Sequence, residues 1–282
     1  MIENLMDNAV NGNKEAQFEL AIKLLKGENI TKDTTTGIYW LKKSADLEFP
    51  NAMITLGMIY FEGLIIEKDL KKANFWLQKS ANQNNPIAQC NLGLILESGQ
   101  FGKPDYTKVY ELFKKGAINE HPDSQYNLAR LLLEGKGTTK NIPEALSWFE
   151  KSAKLGQMQS QFNLGIFYYN GDFIPEDKKK AFNWLKKCAE LGDIDSQNYI
   201  GKMLLEGKGI QKDLEEGLQW IIKSANNGNG ESQYIYGNIL INGDFNKKKD
   251  IYNGVRWIQK SASNDFEKAK DLFQRKQMWK YL

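Results

Sequence analysis

The chain has 282 residues, 41% of them hydrophobic and 12% aromatic, too rich in core-forming side chains for a disordered polypeptide. Its 38 Lys and Arg against 35 Asp and Glu leave a net charge of only +3, too weak to imply a nucleic-acid partner. One His and two Cys remove most catalytic and metal-binding schemes, and no apolar stretch approaches the roughly 18–20 residues that a membrane span requires.

The N-terminal stretch carries Glu3 and Asp7, has no basic start and no apolar run, and so does not read as a secretory signal. Residues 1–15 are expected to form a capping helix. From there the chain repeats itself: Ala16, Ala52, Ala88, Ser124, Ser160, Ser196 and Ser232 each begin a similar segment, 36 residues after the last. A degenerate eighth start falls at Ala269, displaced by one residue. The expected organisation is therefore seven repeats over 16–268 and a C-terminal capping helix over 269–282, one repeat array rather than two globular domains.

Within each unit a first helix is expected, because apolar or small residues recur at its first, fifth, sixth and ninth positions, as in Ala52, Leu56, Gly57 and Tyr60. The twelfth position is always glycine, from Gly27 to Gly243, as suits a left-handed helix stop. Small residues at the sixth position would let a neighbouring helix approach closely. A second helix then begins at Asp33, Asp69, Asp105, Asn141, Asp177 or Asp213, short acceptors suited to an N-cap. It carries Trp40, Trp76, Trp148, Trp184, Trp220 and Trp257, followed by small pairs such as Ser44–Ala45, which reads as knob-and-hole packing between units. A unit this small cannot bury its apolar face alone, so neighbours must stack.

The second unit shows the whole pattern: Leu56, Gly57, Tyr60, Gly63, Asp69, Lys72, Ala73, Trp76, Lys79, Ser80 and Ala81. It resembles the Sel-one-like (SLR) repeat family, and the resemblance covers nearly the entire chain. What it implies is an all-α fold, a right-handed α/α superhelical solenoid related to tetratricopeptide repeats, and a role as adaptor or scaffold.

Other chemistry is weak. Gly135-Lys136-Gly137-Thr138 lacks the upstream glycine and preceding strand of a phosphate loop, and Gly135-Lys136-Gly137 of the fourth unit and Gly207-Lys208-Gly209 of the sixth resemble the family's inter-helix loop. No cofactor is implied. Cys90 and Cys188 lie nearly three repeats apart, roughly 30 Å at the usual helix spacing, beyond disulfide reach. Cys188 reads as packing, whereas Cys90 is a thiol that could face the binding groove. Free cysteines point to a reducing cytosol. His121 reads as a solvated loop residue, and paired lysines such as Lys42–Lys43 and Lys186–Lys187 as a solvated face.

In a solenoid of this kind the first helices line the concave surface. A groove over repeats three to six is expected, with partner-binding residues Asn91, Tyr126, Asn127, Arg130, Phe162, Asn163, Ile166, Tyr169, Asn198, Tyr199, Lys202 and Tyr234. Asn91, Asn127 and Asn163 form a ladder that pairs with an extended backbone, or else ties helices together. The expected partner of this monomeric chain is an acidic or polar-aromatic protein segment. An immunity protein that sequesters a toxin is the alternative role, and a hydrolase of cell-wall or β-lactam type the contrasting one.

Overall fold

The computed structural model describes residues 2–245, 248–275 and 278–281, and among these there are α-helices and a short 3-10 turn but no strand. The helices fall into two compact units, Met1–Leu155 and Gly156–Leu282. The first unit holds α1 (Ile2–Val10), α2 (Lys14–Lys26), α3 (Thr34–Asp46), α4 (Pro50–Glu62), α5 (Leu70–Asn82), α6 (Pro86–Glu97), α7 (Tyr106–Ile118), α8 (Pro122–Glu134) and α9 (Ile142–Lys154). The second holds α10 (Met158–Asn170), α11 (Lys178–Glu190), α12 (Ile194–Glu206), α13 (Leu214–Asn226), α14 (Gly230–Asn242), α15 (Ile251–Ser263) and α16 (Glu267–Arg275). The expected closing cap over 269–282 falls partly on 276, 277 and 282, which lie outside the described residues.

Chemistry at the helix ends sets this alternation. Asp33, Asp69, Asp105 and Asn141 in the first unit, and Asp177, Asp213 and Asp250 in the second, all accept hydrogen bonds from backbone N–H groups of the first turn they cap. The side-chain hydroxyl of Thr36 holds the Asp33 carboxyl below its ordinary value, and the Lys72 backbone N–H does the same for Asp69. Gly27, Gly63 and Gly135, and in the second unit Gly171, Gly207 and Gly243, end the first helices in the left-handed region.

Packing inside a repeat runs through the small sixth position, as expected, but the knob is not tryptophan. A Cβ added to Gly57 would lie 2.8 Å from Leu77, and one on Gly93 2.6 Å from Phe113. In the second unit the corresponding pairs are Gly165 with Leu185 at 2.6 Å and Gly201 with Ile221 at 2.8 Å. Each knob stands one residue after the tryptophan column and is fully buried. One step along a helix turns a side chain by about 100°, enough to carry the indole off the buried face. The tryptophans are accordingly half-buried, with Lys151 over Trp148 at 4.1 Å and Lys187 over Trp184 at 4.4 Å.

Two polar staples complete the frame. The serine of the small pair joins the helices of one repeat: Ser44 Oγ donates to the Lys14 carbonyl, Ser152 to that of Pro122, and Ser224 to that of Ile194, at 2.7–2.8 Å. The glutamine at the second position joins successive repeats. Gln17, Gln89 and Gln125 donate to the carbonyls of Ala9, Ala81 and Ala117, and Gln197 and Gln233 to those of Ala189 and Ala225, at 3.0–3.2 Å. The second repeat has Met53 there instead, fully buried.

Candidate functional site

The loop Gly135-Lys136-Gly137 is structural. Gly137 sits at φ +72°, and a Cβ on it would come 2.0 Å from the Tyr106 carbonyl oxygen at the start of α7. Only glycine lets the loop lie against the preceding repeat. Gly209 repeats this in the second unit, where a Cβ would meet Lys178 at 2.0 Å.

Two sequence expectations change. Cys90 does not open onto a groove: it is 2% exposed and packs beside Val109, Phe113 and Leu128, and burial pushes its thiol up to about 11. A protonated thiol in an apolar core is a poor nucleophile. Cys188 is buried as expected, with Sγ directed at the Met158 carbonyl in the serine staple's place. His121 is not a solvated loop residue: it is the N-cap of α8, with Nδ1 accepting from the Ser124 backbone N–H at 3.3 Å. Burial lowers its pKa, which keeps the ring in the neutral form that can accept.

In the first unit the structure gathers the residues of α8 around a cation. Arg130 reaches Glu97 at the end of α6, at 2.5 Å, and Glu134 on its own helix, at 3.6 Å. Burial opposes the Arg130 charge, yet the hydrogen bond and charge of Glu97 leave the guanidinium pKa raised. Asn127 is buried, donating to the Asp123 carbonyl at 2.8 Å and accepting from Arg130 at 3.4 Å. Tyr126 packs edge-on against Phe149. Asn91, on α6, is half-buried, and its side chain makes no hydrogen bond to another described residue.

The second unit presents an aromatic cluster. Tyr199 on α12 meets Tyr169 on α10 at 5.3 Å and Phe162 at 6.3 Å, both edge-on, and Ile166 lies in the same cluster. All four are half-buried, and burial raises the Tyr199 hydroxyl pKa. Lys178 covers the Tyr169 ring at 4.0 Å and donates to the Tyr169 carbonyl. The side chain of Asn163, next to Phe162 on α10, makes no hydrogen bond to another described residue. Lys202 pairs with Glu231 at 2.8 Å while lying over Tyr199, and Asn198, also buried, donates to the other Glu231 oxygen at 2.6 Å. Tyr234 goes elsewhere, packing against Phe266.

Thus Arg130 and Lys202 are not free cations, and their carboxylate partners were not among the expected site residues. A signal for Glu97 exists in the sequence. Its column reads Leu25, Phe61, Glu97, Leu133, Tyr169, Leu205 and Ile241, so it is the charged exception in an apolar row. Among the described residues no group of His, Cys, Asp and Glu side chains is placed to hold a metal, and no helix is long and apolar enough to cross a membrane.

The chain is similar to a protective antigen present in uropathogenic Escherichia coli strains that displays an SLR fold, with 28% identity and a TM-score of 0.89 over 95% of this chain. It spans 57% of the length of that antigen. It is also similar to a Sel1 repeat protein from Oxalobacter formigenes, with 27% identity and a TM-score of 0.76, covering 97% of this chain and 79% of the other. No curated protein matches it. The Sel1 repeat model matches residues 14–49, 50–85, 86–121, 122–157, 159–193, 194–229 and 230–266. With that pattern repeated along nearly the whole chain, and with the helix pairs it specifies formed, the protein belongs to the Sel1 repeat family.

Proposed function

We propose that this chain is a non-enzymatic scaffold that binds an extended protein segment on its first-helix faces. Sel1 repeat proteins are generally protein-interaction scaffolds and typically not enzymes. The observation that carries the reading is the Phe162–Tyr169–Tyr199 cluster on α10 and α12. Half-buried aromatic rings that keep an open side supply rigid, amphipathic contact area of the kind that dominates interface energy. Asn163 adds an amide with both a donor and an acceptor to offer. In the first unit, Asn91 offers the same chemistry on α6.

The charge of the partner follows from the ion pairs. Because Glu97 and Glu134 neutralise Arg130, and Glu231 neutralises Lys202, neither cation selects an acidic segment. The segment that fits is polar and aromatic rather than acidic.

A photo-crosslinking amino acid placed in the native cell at Ile166, beside the cluster, should give a discrete protein adduct. The same group at the exposed Asn183 of α11 should not, and Tyr169→Ala with Tyr199→Ala should remove the adduct. Equal labelling from both positions would overturn the assignment of the first-helix face.

A further inference from the structure

The third repeat departs from the pattern where its first helix ends. α6 stops at Glu97 with Ser98 as C-cap in the right-handed region, short of the glycine stop. The segment from Gly99 to Pro104 then turns back, with Gly99 and Gly102 both at positive φ. It delivers Phe101, half-buried, against the apolar clusters of the second and third repeats.

This loop and the opening turns of α5 and α7 border an open cavity of about 460 Å³. That is within the range of small-ligand sites. Leu70, Leu96 and Phe101 give it an apolar wall, and Lys71, Asn74, Gln100 and Lys108 line the rest. Lys68 donates to Gln100 Oε1 at 3.1 Å, which leaves the Gln100 amide hydrogens free. Lys71, Asn74 and Lys108 make no side-chain hydrogen bond or ion pair with other described residues. The nearby acids are engaged elsewhere: Asp69 accepts from the Lys72 backbone and pairs with its ammonium, and Asp105 accepts from the Thr107 and Lys108 backbones.

Two uncompensated ammonium groups and two amide donors beside an apolar wall define one ligand chemistry. We propose that this cavity binds a small carboxylate carrying an apolar group. Lys71 and Lys108 neutralise the carboxylate, Asn74 and Gln100 donate hydrogen bonds to its oxygens, and Phe101 with Leu96 and Leu70 covers the apolar part. Such a group exists both in free organic acids and at the C-terminus of a peptide ending in an apolar residue.

Titrating the full chain with phenylacetate, followed by amide chemical shifts, tests this. Saturable shifts confined to residues around the cavity are expected, with a dissociation constant of about 1 mM for so small a ligand. Phenylacetamide should bind at least about tenfold more weakly, as should phenylacetate to the doubly charge-reversed K71E/K108E protein. Both lysines are exposed, so this variant keeps its fold, verified by unchanged shifts elsewhere. K71R/K108R should retain binding. Equal binding of the amide, undiminished binding to K71E/K108E, or no saturable shift at the cavity by about 10 mM overturns the proposal. N-acetyl-alanyl-phenylalanine, acid against amide, separates the two sources. Binding of the dipeptide acid assigns a peptide C-terminus, and its failure beside bound phenylacetate assigns a free acid.

Discussion

Arg130 on α8 and Lys202 on α12 occupy the same column of the repeat, yet they pair in opposite directions along the chain. Arg130 reaches back to Glu97 at the end of the preceding first helix, and adds Glu134 on its own. Lys202 reaches forward to Glu231 in the first turn of the next. The planar guanidinium divides its donors between two carboxylates, whereas the ammonium holds one and leaves the second oxygen to Asn198. Position along the helix matters as well. Glu231 stands where the helix dipole favours a negative charge, and Glu97 stands where it does not, so Glu97 depends more on its cation. A repeat column fixes where a side chain lies, and its neighbours fix what it does there.

The strongest way to test this comparison is to disturb the frame beneath each pair. Phe113 on α7 and Ile221 on α13 are the fully buried knobs beside Gly93 and Gly201. Phe113→Ala should cost about 4 kcal/mol and Ile221→Ala about 3 kcal/mol in urea unfolding, the larger ring leaving the larger void. Equal losses would show that the two regions collapse differently around the cavity.

Charge reversal comes next. Arg130→Glu places a carboxylate against two others and should cost about 2 kcal/mol, while Lys202→Glu faces one and should cost about 1 kcal/mol, after allowance for solvent screening. Adding Glu97→Arg to the first, or Glu231→Lys to the second, should recover part of each loss in a double-mutant cycle. Recovery in neither would remove the pairing from the account of stability.

A smaller effect appears with pH. Burial opposes the Glu231 charge, but hydrogen bonds from Lys202 and Asn198 outweigh it and hold the carboxyl below its ordinary value. A depressed folded pKa gives stability that is fully present above the unfolded value, about pH 4.3, and lost as pH falls through the folded one. Glu231→Gln should therefore destabilise the protein at neutral pH and converge with the parent in acid, read from thermal midpoints. A difference that stays constant across that range would exclude the ion pair as its source.

The smallest change is expected at the inter-repeat staple. Gln125 and Gln197 each donate to an alanine carbonyl, but each also buries an Oε1 with no hydrogen-bond partner among the described residues. Since Met53 already serves the second repeat, Gln197→Met should change stability by under about 1 kcal/mol. A larger loss would show that the donated bond outweighs the buried oxygen.

The glycine stops, the Asp and Asn caps and the small sixth position were legible because each answers a local demand: a left-handed residue, an acceptor in the first turn, and room for a facing helix. The identity of the knob was not. Trp148 and Phe149 are adjacent large aromatics, and only the rotation of α9 against α8 decides which is buried. His121 as a cap was hidden by its residue type, since Asn, Asp and Ser lead at that position.

The sequence by itself determined the repeat length, the helix pairs and the family, because periodicity and helix-end chemistry act within one unit. Tertiary structure decided which first-helix residues remain open to a partner. Asn127 shares its column with Asn91 and Asn163 but is taken up within α8, by the Asp123 carbonyl and by Arg130, itself held by Glu97 of α6. Asn198, one column earlier, is taken up by Glu231 on α14. The Arg130–Glu97, Asn198–Glu231 and Lys202–Glu231 pairings join side chains 29 to 33 residues apart, and stacking, rather than sequence proximity, sets their distances.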